Sequence, residues 1–191
     1  MKHNSILIIR HAIKAHPGFN VGLGEQGIQQ AKQIAKAIRC WHTERIISSP
    51  LLRAVETAAI IGIMTSINVE VNDNFEERRV GRRIPIGSKL FLEEWAKTEN
   101  YRDYLPIGGE SSRMAGDRFT AALIGIIKNK ERKRTIVVSH GGIIVDFLLN
   151  TKLITSQIID KEKAIPHGSI TEISFSRNKW RLIRLGKDDL D

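Results

Sequence analysis

The stretch Ile6-Leu7-Ile8-Ile9-Arg10-His11 decides the fold, because four consecutive apolar residues run directly into a guanidinium and an imidazole. An apolar run without polar alternation is typical of a strand that is buried on both faces, as the strands of parallel sheets are. The cation and the imidazole therefore stand at the carboxyl end of a predicted central strand.

Two more segments repeat this arrangement. The run from Arg45 to Ser49 leads into Pro50-Leu51-Leu52-Arg53, and the run from Thr135 to Ser139 leads into His140-Gly141-Gly142. Ligands of open α/β sheets bind beyond the carboxyl ends of the strands. Strands that end in Arg-His, Ser-Pro-x-x-Arg and Ser-His thus predict one shared pocket that is rich in phosphate-binding groups.

The remaining periodicity indicates an α/β protein in which strands alternate with helices. A helical stripe of apolar residues runs from Gly24 to Trp41. Ser49-Pro50 has the pattern of an N-cap followed by proline at the first helical position, which places Arg53 in the first turn of a helix that ends near Met64. The other predicted elements are a strand at Asn68 to Val71, helices at Lys89 to Thr98, Ser111 or Ser112 to Lys128 and Gly142 to Asn150, and an antiparallel hairpin of Ile170 to Ser176 with Trp180 to Leu185.

Composition favours a single globular domain in the cytoplasm. The chain has 191 residues, of which 41% are hydrophobic and 27% are charged. Cys40 is the single cysteine, so no internal disulfide forms and a reducing compartment fits. Residues 1–10 hold only four consecutive apolar residues, and the densest apolar stretch, residues 58–64, is far shorter than a membrane span. We therefore expect neither a secretory leader nor a membrane partner.

The formal charge of +9 favours anionic partners through a long-range attractive field. Basic residues concentrate at residues 78–83 and 128–134. The second cluster falls where a helix should end, and cations at that place are favoured by the helix dipole and by solvation. With 6% aromatic residues and no stacking motif, a nucleic-acid partner is not expected.

Phosphoryl chemistry explains the residue types at the predicted strand ends. A transferring phosphoryl group carries charge on its oxygens, so its site needs fixed cations or donors around one nucleophile. Arg10 and Arg53 can supply planar forks, His140 a further donor, and His11 a nucleophile that forms a covalent intermediate. Taken alone, a histidine at a strand end is more often a hydrogen-bonded structural residue. The convergence of the four residues is what favours catalysis.

A leaving alkoxide also needs a proton from a general acid. Glu76 and Glu77 follow the third predicted strand, and the residues alone do not choose between them. Glu77 lies beside Arg78 and Arg79, so a plain ion pair is an alternative to a catalytic role. The irregular spacing of the histidines and the lack of nearby cysteine or carboxylate partners argue against a metal site.

Six short blocks, in order along the chain, resemble the histidine phosphatase superfamily, also called the phosphoglycerate mutase-like family. The resemblance covers nearly the whole length, and each block is a weak pattern by itself. The blocks are Arg10-His11-Ala12, Leu23 to Gly27 followed by Gln30-Ala31, Ser48-Ser49-Pro50-Leu51-Leu52-Arg53-Ala54-Val55-Glu56-Thr57-Ala58, Phe75-Glu76-Glu77-Arg78-Arg79-Val80-Gly81, Gly109-Glu110-Ser111, and Val138-Ser139-His140-Gly141-Gly142.

The resemblance implies a three-layer α/β/α sandwich with a mostly parallel central sheet and an antiparallel edge strand. It implies a metal-independent, cofactor-free phosphatase that hydrolyses a small phosphorylated metabolite through a phosphohistidine at His11. Glu77, chosen over Glu76 by its place in the fourth block, would protonate the leaving oxygen and then activate water. Arg10, Arg53 and His140 would grip the phosphate, and the residues expected to shape the rim of the pocket are Ser139, Gly141 and His167.

The chain also departs from the family pattern. Ala12 replaces the glycine after the nucleophile, although protein phosphohistidine phosphatases of the superfamily also have alanine there. The loop from His11 to Leu23 lacks the family's Gly-Glu-Thr continuation, and residues 82–107 are expected to form a small cap-like insertion that selects the substrate. Because the cofactor-dependent mutases of the family have larger insertions and longer chains than this one, a phosphatase is favoured. A mutase, a phosphohistidine phosphatase and a non-catalytic phosphate-binding regulatory module remain alternatives, and the oligomeric state stays open.

Overall fold

The computed structural model describes residues 4–81, 88–128, 134–155 and 161–187. Within these ranges six strands form one sheet, and helices flank it. The strands are β1 (Asn4–Arg10), β2 (Arg45–Ser48), β3 (Val69–Val71), β4 (Thr135–Ser139), β5 (Ile170–Ser176) and β6 (Lys179–Lys187). The helices are α1 (Glu25–Ala37), α2 (Leu52–Thr65), α3 (Lys89–Asn100), α4 (Ser112–Lys128), α5 (Gly141–Asn150) and the short α6 (Lys161–Ala164).

The sheet has the order β3-β2-β4-β1-β5-β6. Strands β3, β2, β4 and β1 run parallel to one another, whereas β5 is antiparallel to both β1 and β6. The predicted mostly parallel sheet and the predicted terminal hairpin are therefore confirmed. The predicted antiparallel edge is also confirmed, because β6 forms the edge of the sheet and is antiparallel to β5.

Each face of β1 packs against a different helix pair, which explains its uninterrupted apolar sequence. Ile6 and Ile8 lie in a cluster with residues of α4 and α5, and Leu7 and Ile9 lie in a second cluster with residues of α1 and α2. Full burial of one such side chain contributes about 1.5–3 kcal/mol. The two clusters produce the predicted three-layer sandwich and fix β1 at its centre.

The start of α2 differs from the prediction. Leu51 occupies the N-cap position, and no side chain caps the helix there. Pro50 therefore precedes the helix and is not its first residue, so the predicted cap at Ser49 is wrong. Arg53 nevertheless lies in the first turn, as expected.

The predicted cap-like insertion lies only partly within the described residues. Residues 82–87 are outside them, and residues 88–107 contain α3 followed by a turn-rich segment. The described part of the chain contains no helix that is long and apolar enough to cross a membrane.

Candidate active site

The sheet topology brings the predicted strand ends side by side. Strand β4 lies between β1 and β2, with Arg10 paired to Ser139 and Ser48 paired to Val138. His11 and His140 follow β1 and β4, and their ring centres are 5.1 Å apart. Arg53 reaches the same point from the first turn of α2. The four residues on which the phosphoryl-transfer prediction depends therefore lie together.

The two ring nitrogens of His11 have different partners. Nε2 lies 3.0 Å from Nε of Arg53 and Nδ1 lies 2.8 Å from the carbonyl oxygen of Ala12. Because a guanidinium only donates hydrogen bonds, Nε2 must be the acceptor and Nδ1 must hold the proton. Burial, followed by the charge of Arg53, lowers the pKa of His11 well below its usual value. The imidazole is thus neutral, with its lone pair at Nε2.

Ala12 fits the position that the family gives to glycine. Its backbone is not in the left-handed region, so a side chain adds no strain there. The backbone N–H of Ala12 donates to Oγ1 of Thr57 at 3.1 Å, while its carbonyl oxygen orients His11. The methyl group is fully buried.

Arg10 is held by the segment that enters β5. Its Nη1 donates to the carbonyl oxygen of Ile165 at 2.7 Å, and its Nη2 lies 3.1 Å from Nε2 of His167. The His167 ring also meets the His11 ring edge-on, with centres 5.2 Å apart. A Cβ added to Gly141 would lie 3.1 Å from the guanidinium carbon of Arg10, so glycine permits this close approach.

Arg53 is buried and makes contacts on two sides. Besides its bond to His11, Nη1 donates to the carbonyl oxygen of Phe19 at 2.5 Å. Burial lowers the pKa of Arg53, and the nearby carboxylate of Glu77 opposes that change. The loop after His11 is therefore tied to the cation that lies against the nucleophile.

His140 is fully buried at the N-terminus of α5. Its Nε2 lies 2.6 Å from Oγ of Ser49, and its Nδ1 has no hydrogen-bond partner among the described residues. Burial and the charge of Arg53 lower the pKa of His140 well below its usual value. Its imidazole is therefore neutral, like that of His11.

The two candidate acids occupy different environments. Glu77 accepts backbone hydrogen bonds from Gly142 at 3.1 Å and Ile143 at 2.8 Å, so its carboxylate covers the N-terminus of α5 directly after His140. Glu76 instead forms a 2.8 Å ion pair with Arg79. The Glu77 carboxylate thus lies at the helix that follows His140 and the Glu76 carboxylate lies on Arg79, and the acid role of Glu77 stays a prediction.

The predicted rim residues are not equivalent. His167 contacts both Arg10 and the nucleophile, and Gly141 lies against Arg10. Ser139, in contrast, donates its hydroxyl hydrogen to the carbonyl oxygen of Phe75 at 2.7 Å. The hydroxyl thereby fastens the segment that carries Glu77 to the end of β4.

Sequence reasoning missed two residues near the site. Ser49 was interpreted as a helix cap, but its hydroxyl contacts His140 instead. Lys14 is half-buried and donates to the carbonyl oxygen of Gly18 at 3.2 Å. Burial and the charges of Arg53 and Arg10 lower the pKa of Lys14, which shows that a third cation stands close to the two arginines. The position of Lys14, three residues after His11, is the feature of the sequence that could have indicated it.

Within the described ranges no group of three or more His, Cys, Asp and Glu side chains is placed to hold a metal ion. The charges that surround His11 are instead those of buried guanidinium groups.

Residues 6–188 match the model of the histidine phosphatase superfamily, branch 1. The chain therefore belongs to this superfamily, as the six sequence blocks predicted. The predicted class of enzyme, a phosphoric monoester hydrolase, is confirmed at the level of this family.

Individual relatives show how far the similarity extends. Phosphoglycerate mutase-like protein 4 of Arabidopsis thaliana is 30% identical over 188 residues, which cover 83% of this chain and 81% of that protein. Agropine synthesis reductase of Rhizobium rhizogenes is 30% identical over 142 residues, and this chain spans only 29% of its length. A mycobacterial glucosyl-3-phosphoglycerate phosphatase, solved with inorganic phosphate, has a TM-score of 0.80 at 20% identity and covers 98% of this chain and 99% of its own. The last similarity confirms the fold.

Proposed function

We propose that this protein hydrolyses small phosphomonoesters through a phosphohistidine formed at Nε2 of His11. The observation that carries the proposal is the state of this imidazole, which is neutral, has its lone pair at Nε2, and lies against the Nε–H of Arg53. A buried, oriented lone pair beside a fixed cation is suited to attack a phosphorus atom whose oxygens bear negative charge.

In the first step the Nε2 lone pair forms a bond to phosphorus while the ester P–O bond breaks. The proton at Nδ1 stays in its hydrogen bond to Ala12 and supports the positive charge that develops on the ring. Glu77, in its acid form, transfers a proton to the departing oxygen. Arg10 and Arg53 balance the charge of the phosphoryl oxygens, and the neutral His140 donates a hydrogen bond to them.

In the second step water replaces the imidazole at phosphorus. Glu77, now a carboxylate, accepts a proton from the water as its oxygen bonds to phosphorus, and the N–P bond breaks. His11 regains its lone pair, and inorganic phosphate leaves. Atoms and charges balance without a metal ion or an organic cofactor.

The substrate we propose is a small phosphorylated metabolite of the cytoplasm. The free, exposed thiol of Cys40 fits a reducing compartment. The names of two similar proteins, a phosphoglycerate mutase-like protein and a glucosyl-3-phosphoglycerate phosphatase, make phosphorylated hydroxy acids and their sugar conjugates a suitable start for a substrate panel.

The test is chemical trapping of the intermediate. The protein is mixed briefly with a radiolabelled aryl phosphate and quenched in alkali, under which phosphohistidine survives. We expect label on wild-type protein and none on His11→Ala, whereas His16→Ala, which changes an exposed histidine of the same loop, should keep the label. Release of inorganic phosphate distinguishes hydrolysis from an isomerised product, which would indicate a mutase. Binding of phosphate with no label or turnover would indicate a regulatory module and contradict the proposal.

A further inference from the structure

The hydroxyl of Ser49 is the immediate neighbour of the site's second histidine. Its Oγ lies 2.6 Å from Nε2 of His140, and both residues are fully buried. The backbone N–H of Leu51 donates to the same Oγ at 3.3 Å. Within the described part of the chain, Nε2 of His140 is the acceptor available to the hydroxyl hydrogen.

These contacts fix the position of the proton on His140. If Nε2 held the proton, the hydroxyl hydrogen of Ser49 would be buried without an acceptor, which is an unfavourable arrangement. If the hydroxyl donates to Nε2 and accepts from Leu51, all three groups are satisfied. The proton of the neutral ring must then be at Nδ1.

Nδ1 is the atom of this ring that has no partner among the described residues. With the proton at Nδ1, the ring has an N–H donor that no described residue uses. The centre of the ring lies 5.1 Å from the centre of the His11 ring. With the opposite tautomer it would present a lone pair, which repels an anion. Only the first tautomer is suited to a phosphoryl oxygen.

We propose that Ser49 is a positioning residue that holds His140 in its Nδ1–H tautomer, so that Nδ1–H donates to the phosphoryl group. The inference rests on the proposed function for the identity of the bound group. The backbone supports it, because the N–H of Ser49 donates to the carbonyl oxygen of Val138 at 2.9 Å. Ser49 is thereby fixed between the ends of β2 and β4.

The first test measures the tautomer in the free wild-type protein, so it needs neither a variant nor turnover. Nitrogen-15 chemical shifts distinguish a protonated ring nitrogen from an unprotonated one, and loss of the signal in His140→Asn assigns it. We expect a proton at Nδ1 and an unprotonated Nε2. A predominant Nε2–H form would overturn the inference even if the protein proved to be an active phosphatase.

The second test compares Ser49→Ala with Ser48→Ala, a matched control because Ser48 is also buried but donates to a backbone carbonyl. In Ser49→Ala we expect a mixture of His140 tautomers and roughly tenfold weaker binding of inorganic phosphate, with a similar loss in kcat/KM for an aryl phosphate. Ser48→Ala should keep the single tautomer and wild-type affinity. An unchanged tautomer or unchanged phosphate affinity in Ser49→Ala would refute the role of Ser49, whereas failure of the proposed function would appear instead as absent phosphohistidine.

Discussion

At the scale of single residues, Arg53 contacts His11 in the free protein and is also a proposed ligand of the phosphate group. Its Nε–H donates to the lone pair of His11 that attacks phosphorus in the proposed mechanism, so this lone pair is engaged in the free protein. A phosphate group attracts the same guanidinium more strongly than a neutral imidazole does, since hydrogen bonds between charged groups are about twice as strong as neutral ones. Under the proposed function, we therefore expect substrate binding to draw Arg53 onto the phosphoryl oxygens and to free Nε2 of His11 in the same movement.

The acid role of Glu77 predicts a dependence on the leaving group. Glu77→Gln removes the transferable proton and keeps one acceptor oxygen where the carboxylate offers two to the N–H groups of Gly142 and Ile143. Activity towards alkyl phosphates, whose leaving groups need a proton, should fall by about 10²–10⁴-fold, and activity towards a nitrophenyl phosphate much less. Steady-state kinetics with both substrate types measures this. Glu76→Gln, which alters the ion pair with Arg79, is the control and should affect both substrates equally.

Equal losses with good and poor leaving groups in Glu77→Gln would contradict the acid role. Such a result would return Glu77 to a purely structural role at the N-terminus of α5.

At the scale of elements, α5 is fastened to the segment after β3 at two points. The carboxylate of Glu77 covers the helix N-terminus, and one turn further on Asp146 pairs with the buried guanidinium of Arg78 at 2.9 Å. The ring of Trp95 in α3 covers the same guanidinium at 4.3 Å from the ring centre. Neighbouring residues of one segment thus orient the acid and tie α3 to the helix that follows His140.

This connection predicts a large loss of stability in Asp146→Asn. The side chain of Arg78 is fully buried, so neutralising Asp146 leaves its charge with only the more distant Glu99 carboxylate at 3.6 Å, which costs up to about 3–5 kcal/mol. Urea unfolding measures the loss. The control is Asp103→Asn, which changes the exposed pair with Arg113 and should leave the unfolding midpoint close to that of wild type. A wild-type midpoint for Asp146→Asn would show that Glu99, Ser112 and Trp95 suffice to hold Arg78.

The sequence predicted these elements best where burial is continuous. The strand Thr135–Ser139 was predicted with its observed bounds because all five residues are buried. The start of α2 was predicted wrongly because Ser49 and Pro50 have good local capping chemistry, whereas the Ser49 hydroxyl is used by a histidine 91 residues away. Local patterns carry no information about that contact. Similarly, the fourth sequence block selected Glu77 over Glu76, but the different partners of the two carboxylates are visible only in the tertiary structure.

At the scale of the whole molecule, burial of the site has a cost that depends on pH. His11 and His140 are neutral in the folded protein because burial, aided by Arg53, lowers both pKa values well below 6.5. In the unfolded chain a histidine has a pKa of about 6.5. Between the folded and the unfolded pKa values, unfolding therefore binds up to two protons. The two histidines therefore cause no loss of stability above about pH 6.5, and the free energy of unfolding decreases as the pH drops below that value.

The expected effect is a slope of up to about 2.7 kcal/mol in the free energy of unfolding per pH unit below about pH 6.5, on top of the contribution of the carboxylates. The double variant His11→Asn, His140→Asn cannot bind these protons, so its unfolding free energy should depend less steeply on pH. Urea unfolding from pH 4.5 to 7.5 measures both slopes. The control, His16→Asn with His42→Asn, alters two exposed histidines and should keep the wild-type slope. If the unfolding free energies of the wild type and of the His11, His140 variant had the same dependence on pH, the folded protein would already bind those protons. A charged His11 would then have no lone pair with which to attack phosphorus.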